Sequence, residues 1–178
     1  MQNDLLQLAL RRRSVRTYGS SKIQEETIRE ILKVALTAPS SFGHNPVEFV
    51  VVRDKARIEQ IGSCKRMGGS QINGADTVVI VMVRTKDKRD AEFWIEDGAI
   101  ASTYLLLAAE QYDIGACWVH IRNRQGQVKT SDEEIRALVG VPDGYTILNL
   151  VALGEKAEVK QAHKEDDIDF SKVHTEKY

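Results

Sequence analysis

Apolar positions recur at helical spacing through the first fifth of the chain and then give way to β-branched runs. Leu5, Leu6, Leu8, Ala9 and Leu10 predict a short first helix ending at a basic cluster. Ile28, Ile31, Leu32, Ala35 and Leu36 predict a second helix that stops before Pro39. A loop dense in turn formers, 38–46, follows and leads into a predicted strand over 48–53. The pattern next gives a helix over 54–61, a glycine-containing stretch at 67–71, and a buried strand over 77–84. Residues 90–112 are apolar on nearly every face, with Ala99, Ile100, Tyr104, Leu105, Leu107 and Ala108. A helix of that kind is central, packed on a sheet or on a partner subunit. Asp97 and Gly98 interrupt it, which implies either close packing or one polar face.

A third strand is predicted over 115–121 and a last one over 145–153. Between them, Ser131-Asp132-Glu133-Glu134 matches a capping box that opens a short helix to Val139, and Pro142-Asp143-Gly144 makes a turn. After Gly154 the chain becomes a charged tail. Two helices precede the first strand, and strands and helices do not alternate strictly. That order favours an α+β sandwich over a doubly wound sheet.

Composition narrows the picture. A chain of 178 residues suits one well-packed domain. Its net charge of −1 gives no global field for nucleic acid or an anionic membrane, and its apolar runs are far short of a bilayer span. The N-terminus lacks the basic-then-apolar layout of a signal peptide, and Cys64 and Cys117 sit in no local motif. A reduced, cytoplasmic protein is the expectation.

Familiar catalytic arrangements are missing. The sequence has no GxGxxG after its first strand, no Walker loop and no HExxH helix. His44, His120, His163 and His174 are scattered without metal-ligand spacing, and Cys117 lies in an apolar strand that suits an inert thiol. An enzyme built on this chain would therefore leave the chemistry to a bound cofactor. The strongest ligand signal is Arg11-Arg12-Arg13-Ser14-Val15-Arg16, whose guanidinium forks and hydroxyl match a phosphate. Arg12 and Arg13 also sit where helix C-terminal cations would interact favourably with the helix dipole.

Three spaced elements carry a resemblance. Arg12-Arg13-Ser14-Val15-Arg16 resembles the R-R-S-x-R opening of the nitroreductase family of FMN-dependent oxidoreductases. Ala38-Pro39-Ser40-Ser41 followed by Asn45-Pro46 is similar to that family's A-P-S-[SA]…[NQ]-P loop. Ile114-Gly115-Ala116-Cys117-Trp118-Val119 resembles its strand after the long central helix, and the closing V-H-x-E-K pattern looks like the shorter bacterial members. The motifs keep their order over nearly the whole chain. The resemblance implies an α/β/α sandwich with a mainly antiparallel central sheet, forming one FMN-binding domain over 1–178. It further implies a homodimer with FMN at the interface, and residues 155–178 as an extension packing on the partner subunit.

Carried onto this chain, the resemblance assigns Arg12, Arg13, Ser14 and Arg16 to the phosphate, ribityl chain and pyrimidine edge of the flavin. Pro39, Ser40, Ser41 and Asn45 would come from the other chain. Gln71 would face the pyrimidine part of the ring, and Trp118, Val119 and His120 its opposite side, His120 offering a backbone N–H to the hydride-accepting nitrogen. Lys160, His163 and Lys164 are candidates for the phosphate near the C-terminus. NADH or NADPH would be the reductant, and nitroaromatics or quinones the small-molecule acceptors, in a ping-pong cycle. Bland roles stand beside these: Ser40 and Ser41 shaping a turn, Trp118 in the core, and the helix around Asp97 at a dimer interface. A flavin-binding sensor or store with little turnover would carry the same motifs. Two departures matter. The family loop often reads Gln-Pro-Trp where this chain has Asn45-Pro46-Val47, and there is no room for an inserted helix over the substrate channel. A more open or partner-built pocket is the expectation.

Overall fold

The predicted strands become a four-stranded sheet, entirely antiparallel, in the order β1 (Val47–Val52), β2 (Thr77–Arg84), β4 (Tyr145–Gly154), β3 (Gly115–His120). A computed structural model describes residues 4–178; the first three positions of the expected 1–178 domain lie outside the described residues. The elements are α1 (Asp4–Arg11), α2 (Glu25–Leu36), β1 (Val47–Val52), α3 (Lys55–Ser63), β2 (Thr77–Arg84), α4 (Lys88–Gln111), β3 (Gly115–His120), α5 (Ser131–Val139) and β4 (Tyr145–Gly154). Every predicted helix and strand is present, with ends that shift by a few residues.

Strand alternation sorts β2 into two cores. Val78, Ile80 and Met82 join Ile58, Ile61 and Ile135 from α3 and α5 on one face. Val79 and Val81 join Ile28, Ile31, Leu105 and Ala109 from α2 and α4 on the other. Both faces being covered explains why 77–84 reads as an uninterrupted apolar run. The result is the α/β/α sandwich, an α+β fold.

Two glycines mark close approaches. Gly98 lets α4 lie against β4, since a Cβ there would stand 2.7 Å from Leu148 Cδ2 and 3.1 Å from Val83 Cγ2. Close packing, rather than a polar face, is therefore the reason for that break in the helix. At Gly69 a Cβ would fall 2.0 Å from the carbonyl oxygen of Gly62, so the 3₁₀ turn Gly69–Ile72 can cross the end of α3 only with glycine there. That crossing places Gln71.

The capping box starts one residue earlier than expected. Thr130 is the N-cap; its hydroxyl accepts from Glu133 N–H while the Glu133 carboxylate accepts from Thr130 N–H at 3.0 Å. Ser131 is inside the helix and buried. Thr and Ser are both good caps, and the reciprocal bond to a glutamate three residues on selects Thr130.

The tail after β4 first returns along the chain's own start. Tyr18 bridges Lys156 antiparallel, Gly19 N–H donates to Glu155 O and Ala157 N–H to Thr17 O. Beyond His163 the tail is exposed, including Ile168, Phe170, Val173 and Tyr178. Gly98→Ala is expected to lower stability by about 1–3 kcal/mol through overpacking against Leu148. Urea unfolding with an unchanged slope checks it, and a variant as stable as the parent would contradict the close approach.

Candidate functional site

β3 is an edge strand, and only its first half is covered on the outer side. Val15 N–H donates to Ala116 O at 3.0 Å, forming a parallel bridge between Ser14 and Ala116. Antiparallel pairing alternates, so Ala116, Trp118 and His120 turn their backbone groups away from β4, while Cys117 and Val119 turn theirs toward it. The outward N–H groups of Trp118 and His120 are thus presented along an open edge. Val119 presents neither side chain nor backbone there: it is 1 % exposed and packed in the core.

The bridge at Ser14 draws the basic cluster onto this strand. Arg12, Arg13 and Arg16 form no ion pair with a carboxylate among the described residues; the neighbouring Arg11 does, with Glu110. Arg13 donates to the Gln161 carbonyl, and Lys160 donates to the Ser14 carbonyl, so the returning tail adds a fourth cation. Lys160 also pairs with Glu158 at 3.3 Å. Glu158 accepts the N–H groups of Arg16 and Thr17, and those bonds hold its carboxyl below the usual range. Burial pushes the Cys117 thiol up, Arg16 and Lys160 pull against it, and Glu158 adds to the rise. His163 gives its backbone N–H to Leu10 O, and His163 and Lys164 are both exposed. Of the three C-terminal candidates, the structure brings Lys160 to the arginines.

At the far end of β3 a cavity of about 600 Å³ is lined by Gln71, Trp118 and His120 together with Lys65, Arg66, Met67, Asn123, Arg124 and Gln125. Burial lowers the His120 imidazole below its ordinary value, and Arg124, Arg122 and Lys65 lower it further.

Pro39, Ser40 and Asn45 lie elsewhere, in a recess beside β1, lined also by Ala35, Val47 and Asp97. β1 and β3 are the two outer strands, so roughly 14 Å of sheet separates this loop from the arginine cluster. Within the loop, Asn45 N–H donates to Ser40 Oγ at 2.8 Å, and Ser40 Oγ donates to Asn45 Oδ1 at 3.2 Å. Asn45 takes φ 47°, a left-handed value that asparagine tolerates better than most side chains. The loop is held from below by α4. Asp97, 1 % exposed, accepts both the N–H of Ser41 (2.7 Å) and its hydroxyl (3.0 Å). Two turns earlier on α4, Asp90 accepts from His44 Nδ1 at 3.0 Å and from Arg84 Nε at 2.9 Å. Between them Phe42 packs edge-on against Phe93, centroids 5.7 Å apart. The Ser41 hydroxyl is therefore committed to Asp97, and Ser40 and Asn45 are the groups at the recess. Asp97 thus braces a loop of its own chain.

The nitroreductase family model matches residues 9–73 and 65–155, which takes in all three motifs. The chain belongs to the nitroreductase family. A curated protein of Archaeoglobus fulgidus with the provisional name NADH dehydrogenase/NAD(P)H nitroreductase is 29 % identical over 176 residues, covering 98 % of this chain and 99 % of that one. A similarly named protein of Methanothermobacter thermautotrophicus is 31 % identical over 175 residues, covering 98 % of this chain and 88 % of its own. Among solved structures, an FMN-dependent nitroreductase from Clostridium difficile superposes with a TM-score of 0.91 at 32 % identity, covering 97 % of this chain and 99 % of that one.

In this nitroreductase the sequence motifs did not reveal Lys65, Arg66, Arg124, Asp97 or Glu158. Lys65-Arg66 did offer a signal, a basic pair just before Gly68-Gly69. Asp97 offered another, a carboxylate in an otherwise apolar stretch of helix. Glu158 carried none, since it is one acid among many in a charged tail.

Asp97→Ala leaves two donors of Ser41 without their acceptor, and about 1–3 kcal/mol of stability should be lost; thermal or urea unfolding reads it. Asp90 supplies a pH test. Burial pushes its carboxyl up, but the hydrogen bonds from His44 and Arg84 outweigh burial and set it below 3.8. A depressed carboxyl adds stability that is full above its unfolded value and lost as the pH falls through the folded one. The stability gap between the parent and Asp90→Asn should therefore be constant near neutrality and shrink below about pH 4. A gap that widens on acidification would contradict the pairing.

Proposed function

We propose that this chain is an FMN-dependent oxidoreductase that takes hydride from NADH or NADPH and passes it to nitroaromatic or quinone-like acceptors. The observation that carries the reading is the outer edge of β3, with uncompensated guanidinium groups at one end and outward N–H donors beside a large cavity at the other. The donor set fits FMN. Arg12, Arg13 and Lys160 suit a phosphate dianion, which arginine can grip with two parallel hydrogen bonds. Trp118 and His120 offer edge-facing N–H groups, and Gln71 an amide, to a ring that both accepts and donates hydrogen bonds.

FMN, when bound, supplies the two-electron chemistry: hydride acceptance from the nicotinamide and hydride delivery to the second substrate. The chain's own residues bind and orient. Arg16 would hold the pyrimidine edge with its positive charge, and fixed backbone N–H groups would do so without reorganising during reaction. No side chain at the edge needs to act as a nucleophile. His120 serves through its backbone N–H, so turnover should not follow the titration of its ring. The substrates take turns at one open face, the oxidised nicotinamide leaving before the acceptor enters.

The placement of Ser40 and Asn45 at the opposite sheet edge supports a homodimer, in which that loop completes the β3 site of the partner. The exposed Ile168, Phe170 and Val173 support a tail that packs on the partner subunit. NAD(P)H as reductant, together with the unpaired thiols of Cys64 and Cys117, supports a cytoplasmic setting. Among the described residues, no helix is long and apolar enough to cross a membrane.

The purified protein should be yellow, hold about one FMN per chain, run as a dimer, and bleach on anaerobic addition of NADH or NADPH. Colour without bleaching would instead mark a flavin binder with little turnover. Arg16→Ala should weaken FMN retention by roughly tenfold or more and slow bleaching with it. Unchanged occupancy and rate would remove Arg16 from the site.

A further inference from the structure

The cavity at the end of β3 holds a concentration of positive charge that the flavin site does not account for. Lys65 and Arg66 follow the C-terminus of α3, and Arg124 follows β3; all three line the cavity, and no carboxylate does. None of the three pairs with an acid among the described residues. Glu134, whose carboxylate lies beside Gly126 in the neighbouring loop, is occupied: it accepts the N–H groups of Val128 and Lys129 at 2.7 and 2.9 Å. A chain of net charge −1 has no general excess of cations to scatter here.

The cations are also held in place. Arg66 N–H donates to Gln125 O at 3.0 Å, Gln127 Nε2 to Ser63 O at 2.8 Å, and Ser131 N–H to Arg124 O at 2.8 Å, so the two loops are stitched together. Lys65 Nζ is tied to Met67 O at 2.8 Å, and Asn123 adopts φ 56°, turning the chain so that Arg124 returns to the cavity. Burial and then Arg124 lower the Lys65 ammonium from its ordinary value, which shows the cations working against one another. Behind His120, Arg122 adds another charge, its Nε buried without a hydrogen-bond partner. Like charges fixed at close range cost free energy that a bound anion would offset.

We propose that Lys65, Arg66 and Arg124 form a subsite for a phosphate or carboxylate group carried by the substrate that stacks over the flavin. The inference rests on the flavoenzyme reading for what lies on the inner wall, since Gln71, Trp118 and His120 would face the ring. The cationic rim is left for whatever enters next. Two molecules can bring such a group: the reductant, through the 2′-phosphate that separates NADPH from NADH, or an acidic aromatic acceptor.

The test compares kcat/KM for NADPH against NADH, and separately for 4-nitrobenzoate against 4-nitrobenzamide, in the parent and in the Arg66→Gln/Arg124→Gln double variant. At least one arm should favour the anion by about tenfold or more at low salt. That preference should shrink at 0.5 M salt, where screening length falls to a few ångströms (about 4 Å). In the double variant it should collapse to within about threefold of unity. The first arm assigns the group to the reductant and the second to the acceptor. Calorimetry on the same proteins, with adenosine 2′,5′-bisphosphate and with 4-nitrobenzoate, reads binding without turnover and should weaken about tenfold in the variant. Full FMN occupancy with no charge preference in either arm, or a preference that survives the double substitution, overturns the subsite and leaves the flavoenzyme standing. A protein that takes up no FMN overturns the flavoenzyme, and calorimetry then decides the subsite alone.

Discussion

An edge strand must find partners for its outward backbone groups or leave them to solvent and ligands. In this fold that constraint falls on β3, and the chain answers it in two ways along six residues. The Ser14–Ala116 bridge covers the first half and in doing so fixes the basic segment against the sheet. The second half stays open beside the Gly69–Ile72 turn. The Val15 bond to Ala116 lays Arg12, Arg13 and Arg16 along the strand, and the returning tail ties the same segment from its other side through the Tyr18–Lys156 bridge and Lys160. The arginine cluster and Lys160 therefore follow from the Ser14–Ala116 bridge, and the outward donors of Trp118 and His120 from the β3–β4 pairing.

Charge in this nitroreductase is segregated by function. Where a cation stabilises the fold it has an acid: Arg84 with Asp90, Arg53 with Asp76, and Lys156 with Glu110. Asp90 and Glu110 are themselves buried, so removing the cation would leave a desolvated charge. The cations along β3 and around its cavity lack such partners, apart from Lys160 with Glu158. Fold-stabilising pairs neutralise themselves. An unpaired, positioned cation keeps its field for a ligand.

The long helix α4 couples core and loop. Its apolar positions fill the space beneath the sheet, and Gly98 lets it approach β4. On the loop side Asp90, Phe93 and Asp97 engage His44, Phe42 and Ser41. A loop carrying Phe42 and Asn45 at positive φ stores backbone strain, and two buried carboxylates in a packed helix can offset it. Ser40 and Asn45 are thereby held by the most deeply buried helix of the domain rather than by the loop itself.

Local patterns in the sequence determined the elements, because helical and strand periodicity are written by neighbours a few residues apart. The 77–84 run, the helix before Pro39 and the break at Gly98 were legible for that reason. The cap was misplaced by one residue because Thr130 and Ser131 are both acceptable, and only the reciprocal bond to Glu133 separates them. The arginine motif was legible as a ligand-binding candidate by residue type, and the Pro-Ser loop only through the family resemblance. What the sequence could not contain was distance. The tertiary structure decided that Lys160, not Lys164, reaches Ser14, that Asp97 takes Ser41's hydroxyl, and that the Ser40 loop lies across the sheet from the arginines. It alone brought Lys65, Arg66 and Arg124 into one cavity. Those relations arise from strand order and from contacts between residues more than 140 positions apart, such as Lys160 and Ser14 at 146, and no window along the chain records them.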